Sequence, residues 1–119
     1  MRITRIDTGP VPALDEPVAE ERRIKGAPMR GTRPAYEHEG FGFYTGTWES
    51  EPGAWRMVCP EAELCTILAG RIRLTAADGH AEEFGPGDSF VIPSGFEGTW
   101  ETLEPCRKVY AICLPPSAT

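Results

Sequence analysis

Gly87-Asp88-Ser89-Phe90-Val91-Ile92-Pro93-Ser94-Gly95-Phe96-Glu97-Gly98 is the stretch that decides the fold. An approach turn at Gly87-Asp88 leads into a short apolar run, and Pro93 and Gly95 turn the chain again. Gly and Pro at these offsets set backbone geometry that other residues adopt only at a cost. An apolar run of four to six residues between two such turns is a buried strand and not a helix.

The same punctuation recurs outward from it. Thirteen Gly and twelve Pro in 119 residues supply a turn every 8–12 residues, as an all-β fold requires. Phe41 to Trp48, Ala54 to Cys59, Glu63 to Leu68, Arg71 to Thr75, His80 to Phe84, Phe96 to Thr102 and Lys108 to Leu114 read as strands. Arg71-Ile72-Arg73-Leu74-Thr75 alternates charged and apolar residues, the period-2 mark of a strand with one wet face. Gly70 is expected to turn the chain, and Asp78-Gly79 to make a two-residue type I′ hairpin. Pro115-Pro116-Ser117 is expected to end the structure. Eight or so short strands without a helical period predict a single β-sandwich or small barrel over residues 41–119.

Residues 1–40 read as an N-terminal arm. Pro10, Pro12, Pro17, Pro28 and Pro34 break any long helix. Ile3 and Ile6 suit a short strand, and Ala19 to Lys25 a helical turn. The arm is expected to lie extended over the body or across a partner subunit. It carries seven basic and seven acidic residues, so the whole net charge of −6 resides in residues 41–119. An acidic body repels phosphate backbones, which argues against nucleic acid as a partner. No apolar stretch reaches the length of a membrane span and no signal-peptide pattern opens the chain. The expected compartment is therefore the cytoplasm. There Cys59, Cys65, Cys106 and Cys113 stay reduced, and their spacing matches no CxxC pattern. They read as small buried hydrophobes, with a soft-metal site at Cys59 and Cys65 as the alternative.

With these residues in place, the chain resembles the cupins, which share a jelly-roll barrel. Their second motif is matched by Gly87, Pro93 and Gly95, and the end of the first by Glu63 and Gly70, with Gly53 as its opening glycine. Gly46-x-Trp48, Gly53-x-Trp55, Gly95-Phe96-x-Gly-Thr-Trp100-Glu101 and Arg107-Lys108-x-Tyr110 resemble the type 3 branch. That branch includes ureidoglycine-aminohydrolase-like and ethanolamine-utilisation-like proteins, and many of its single-domain members have no assigned activity. The resemblance implies a Mn, Fe, Zn or Ni ion held by three His and a Glu. Only Glu63 of that set is present. The second-motif His falls at Gly98 and its Asn at Thr102, while the first-motif His positions fall at Arg56 and Val58 or at Met57 and Cys59. His38 and His80 lie at neither motif. One carboxylate is not a metal site, so no metal and no cofactor is expected. An improvised site from Cys59, Glu61, Glu63 and Cys65, joined by His38, stays open.

Strand alternation places Cys65 and Ile67 on the face of Glu63, Trp100 and Thr102 on that of Gly98, and Tyr110 and Ile112 on that of Lys108. If the last face turns inward, Lys108 reaches Glu63, because a buried ammonium must be paired. The pair is then either a structural filling or a functional one, a catalytic acid–base or an anion-binding pair. Trp48 and Trp100 are expected as pocket walls, with Tyr110 beside them and Arg56 as a cation able to grip a carboxylate. Ser89 and Ser94 have no His to activate them. The first functional expectation is a homodimeric cupin that binds a small metabolite. The alternatives are an enzyme (hydrolase, lyase or isomerase) acting on a nitrogenous or sugar-like metabolite through Glu63 and Lys108, and a regulatory cupin that binds another protein through its acidic face.

Overall fold

The computed structural model describes residues 1–115, so Pro116 and Ser117 of the expected ending lie outside the described residues. Nine strands and two short 3-10 turns are found among the described residues. The strands are β1 (Glu16–Pro17), β2 (Arg23–Lys25), β3 (Met29–His38), β4 (Phe43–Ser50), β5 (Gly53–Cys59), β6 (Ala62–Ala76), β7 (Ala81–Phe84), β8 (Ser89–Ile92) and β9 (Phe96–Cys113). The opening stretch forms β8 as expected. Its turns are fastened at both ends: Gly87 N donates to Ile67 O at 2.9 Å, and Gly95 N to Cys59 O at 2.6 Å.

The two long strands β6 and β9 pair antiparallel and form the spine. Each spans two strands of the sequence reading. Gly70 does not end a strand; it bends one. The β6–β9 register shifts around Ala69 and Arg71, and Gly70 sits at φ 83°, where its missing side chain leaves room for the Pro105 carbonyl. Beyond the bend, β9 changes neighbours. Its C-terminal half pairs β4, its N-terminal half pairs β5, while β8 and β7 add to the two halves of β6. The halves therefore face each other as a jelly roll, with the core between them. Ile67, Ile72, Ile92, Trp100 and Cys65 are all at most 2% exposed there. Burying one indole of roughly 200 Å² contributes about 5 kcal/mol, which makes Trp100 a principal anchor.

Two local expectations change. At Asp78-Gly79 the turn exists, but type I′ needs positive φ at both central residues. Only Gly79 has it (φ 93°), and Gly79 N donates to Ala76 O at 2.9 Å. The loop is a turn over Ala77-Asp78 followed by a left-handed glycine. Before residue 41 the chain is more than an arm: β3 pairs β4 over almost its whole length, β1 pairs β3 and β2 pairs β5. Pro34 is tolerated in β3 because the register shifts between it and Glu37, a bulge position that needs no N–H. Ala19 to Lys25 holds a 3-10 turn (Glu20–Arg22) followed by β2, and Ile3 and Ile6 lie outside any strand. The first residues lie over the outer face of β4, where Thr47 Oγ1 donates to Asp7 O at 2.6 Å and Val11 N donates to the Glu49 carboxylate.

Candidate functional site

Alternation on three neighbouring strands builds the site. On the inner face β4, β9 and β6 set Trp48 beside Lys108 and Lys108 beside Ile67; two residues along, Gly46, Tyr110 and Cys65 align; two further, Tyr44, Ile112 and Glu63. Lys108 is thus diagonal to Glu63 and stretches past Cys65 to reach it. Its ammonium donates to Glu63 Oε2 at 2.6 Å and lies 3.5 Å from Cys65 Sγ, and the Cys65 thiol donates to the same carboxylate oxygen at 3.2 Å. Both partners are buried, at 8% and 5% exposure. From the facing half, β5 and β9 present Trp55 and Trp100 as neighbours.

Two indoles converge on the ammonium, and a third backs one of them. Trp48 and Trp100 meet edge to face with centroids 5.3 Å apart, and Lys108 Nζ lies 4.5 Å from each ring centre. Trp55 stacks near-parallel on Trp100 at 6.2 Å. The Trp100 ring is locked by its own N–H, which donates to Thr102 Oγ1 at 2.9 Å; Thr102 donates to Ser50 at 3.0 Å. Thr102, at the Asn position of the second motif, serves as this anchor.

The electrostatics follow from that packing. Burial pushes the Glu63 carboxyl up, but the charge and hydrogen bond of Lys108, with the Cys65 thiol, outweigh it and hold the acid below its ordinary value. Burial pulls Lys108 down, yet Cys65, Glu63 and Cys106 raise it above its ordinary value. Burial pushes the Cys65 thiol up to about 12, so it is a thiol and no nucleophile.

Above this floor opens a cavity of about 370 Å³. Trp48, Trp100 and Tyr110 line it as expected, together with Glu63 and Lys108. Arg56 does not: its side chain is on the exposed outer face of β5, paired in register with Thr99. Pro60 lies after the strand and leaves its alternation intact, so Met57 takes the inward position beside Gly98. Missed in the sequence were Arg30, Thr32 and Glu37, which β3 brings to the same cavity. Gly31 was the available signal. A glycine inside a strand marks close approach of another backbone, and its missing side chain faces the Ala13 carbonyl, which leaves Arg30 and Thr32 to face the pocket.

The donors of a cupin metal do not assemble here. Glu63 already holds an ammonium, Gly98 and Met57 carry no ligand atom of the required type, and Val58 points outward. No group of three or more His, Cys, Asp or Glu among the described residues is placed to hold an ion, which includes Cys59, Glu61, Glu63 and Cys65. His38 stays outside, its Nδ1 accepting from Phe41 N at 3.1 Å, and His80 is exposed near Glu82.

Comparison with known proteins adds three observations. A family model described as an EutQ-like cupin domain matches residues 37–110, and no curated protein matches the chain in sequence. A DUF861-family protein of unknown function from Pseudomonas syringae pv. tomato superposes with a TM-score of 0.82 at 21% identity over 90% of this chain, which spans 46% of that protein. The Clostridium difficile EutQ protein superposes with a TM-score of 0.66 at 17% identity, over 82% of this chain and 79% of its own. A DUF861 family protein from Thermotoga maritima is 34% identical over 54% of this chain and 73% of its own, with a TM-score of 0.53.

Proposed function

The chain belongs to the EutQ-like cupin family, and from that premise we propose that it binds a small metabolite in its barrel without the usual cupin metal. The observation that carries this is the open cavity of about 370 Å³ floored by a buried ion pair among three indoles. Pockets of this kind, mostly apolar with a few converging polar groups, are where small ligands bind. Trp48, Trp100 and Tyr110 form its walls. Glu63 and Lys108 act as fixed charges: one is held ionised and the other protonated, so neither is poised to move a proton near neutral pH. This favours binding over acid–base catalysis. Among the described residues no side chain donates to Glu63 Oε1, so this oxygen is left to accept from a ligand.

All three tryptophans of the sequence line the cavity, so intrinsic fluorescence reports on the site alone. Titration with a panel of organic acids, amines, sugars and nucleosides is expected to give a saturable emission change for at least one class. A panel without any change would refute the proposal. Elemental analysis of protein purified without chelator is expected to find no stoichiometric transition metal; a near-stoichiometric one would overturn the metal-free part.

The same proposal includes a homodimer. Leu64 and Val91 are cross-strand neighbours on the outer face of β6 and β8, and are 48% and 62% exposed. β8 pairs only β6 among the described strands, and an unpaired apolar edge calls for a cover.

A further inference from the structure

Arg30 carries a charge that the fold does not neutralise. It lines the cavity, and its guanidinium carbon lies 5.2 Å from the Trp55 ring centre. Its hydrogen bonds go only to backbone carbonyls: Nη2 to Pro17 O at 2.9 Å and Nε to Glu16 O at 3.4 Å. Of five N–H donors, three are left over, including both on Nη1. Among the described residues it forms no ion pair. The charge of Glu16 acts on it, but that carboxylate accepts from Thr32 Oγ1 at 3.2 Å, and Arg22 acts in the opposite sense. Burial pulls Arg30 below its ordinary value, the signature of a cation that lacks a full partner. Two backbone carbonyls hold the guanidinium in one orientation, so its free donors are presented at no further ordering cost.

Lys108 differs in kind. Its charge is met by Glu63, and the indoles that would attract a ligand cation are turned to its own ammonium. A cationic ligand therefore finds the charge of the carboxylate already met and two aromatic rings engaged, with Glu63 Oε1 left only as a hydrogen-bond acceptor. An anion finds Arg30 free. Glu16 acts on that cation, and Glu37 and Glu63 line the same cavity, which disfavours a second negative charge on the ligand.

We infer that the pocket takes a small monocarboxylate whose carboxylate is gripped by the Arg30 guanidinium while its apolar body lies against Trp48 and Trp55. Planar, two-pronged recognition of carboxylate is what a guanidinium does best. Arg30 thereby takes the part expected of Arg56, from β3 in place of β5. The inference rests on the cavity being a metabolite site, and its test separates the two.

Tryptophan fluorescence is titrated with benzoate and benzamide, with butyrate and butyramide, and with benzylamine and inorganic phosphate. In at least one acid–amide pair the acid is expected to bind at least about tenfold more tightly than the amide, as loss of a charge-assisted two-pronged contact implies. Benzylamine and phosphate are expected to bind more weakly than benzoate. Arg30→Gln is expected to erase the preference of acid over amide, and Arg30→Lys to restore part of it. The comparison of acid with amide on the unaltered protein stands even if the variants fold poorly. Equal binding of acid and amide in both pairs, or an acid preference that survives Arg30→Gln in folded protein, overturns the inference. If other metabolites bind and these acids do not, only the carboxylate inference fails; if nothing binds, the metabolite site itself fails and this inference with it.

Discussion

Lys108 lies between two indoles and a carboxylate in a space where another cupin would hold an ion, and its removal leaves Glu63 buried and unpaired. Breaking one side of such a pair costs about 3–5 kcal/mol, whereas replacing both sides is far milder. Chemical denaturation is therefore expected to show a large loss for Lys108→Met and a much smaller one for Glu63→Gln/Lys108→Met. Two equally damaged variants would mean that the ammonium packs and does not pair. The pH response distinguishes them further. Glu63 has a folded pKa below its ordinary 4.5, so its contribution is present above that value and lost as pH falls through the folded one. Lys108 has a folded pKa above its ordinary 10.5, so its contribution is complete below that value and lost as pH rises through the folded one. From these two groups the stability is flat across neutral pH. In Lys108→Met, burial, the largest influence on Glu63, is opposed only by the Cys65 hydrogen bond and raises its pKa, so that variant is expected to gain stability as pH falls from neutral.

At the scale of the element, β9 gives the proposed lack of the usual metal a steric ground. Gly98 pairs Met57 on one side and Ala76 on the other, and a Cβ built there would stand 2.1 Å from the Thr75 carbonyl oxygen. The β6 backbone occupies the place that a histidine side chain would leave through. Gly98→His is therefore expected to destabilise by about 3 kcal/mol or more, as overpacking against backbone does, and to gain no zinc. Thermal melts with and without added zinc check this; a stable, zinc-stabilised variant would refute the steric account. The bend at Gly70 has the matching role in β6. It lets one continuous strand serve both halves of the jelly roll, so a signal that reads as a turn is a fold within a strand.

At the scale of the molecule, the chain's early residues complete its barrel. β3 closes one flank of the cavity and delivers Arg30, while Lys25 meets Glu101 on the acidic body at 3.5 Å. That exposed contact is worth little by itself; strand pairing and packing hold the segment. The proposed dimer belongs to this scale. Sedimentation is expected to show a dimer for the unaltered protein and a monomer for Leu64→Lys/Val91→Lys. A dimer that survives both charges, or a monomer in the unaltered protein, would remove this face from consideration.

The sequence alone determined the all-β class, the strand positions beyond residue 41, the family resemblance and which residues share a face on each strand. Turn residues and a period of two act locally, and a motif fixes register across its own few residues. The ion pair was legible as a condition, because a lysine that turns inward has to find a carboxylate; that the face turns inward is decided by the fold. Only the tertiary structure decided which side of β5 Arg56 occupies, since a one-residue slip inverts every side chain on a strand. It also decided that Arg30 reaches the pocket. Five prolines made that region read as an arm, and whether a proline-bearing segment pairs as an edge strand depends on a neighbour that the local sequence does not contain.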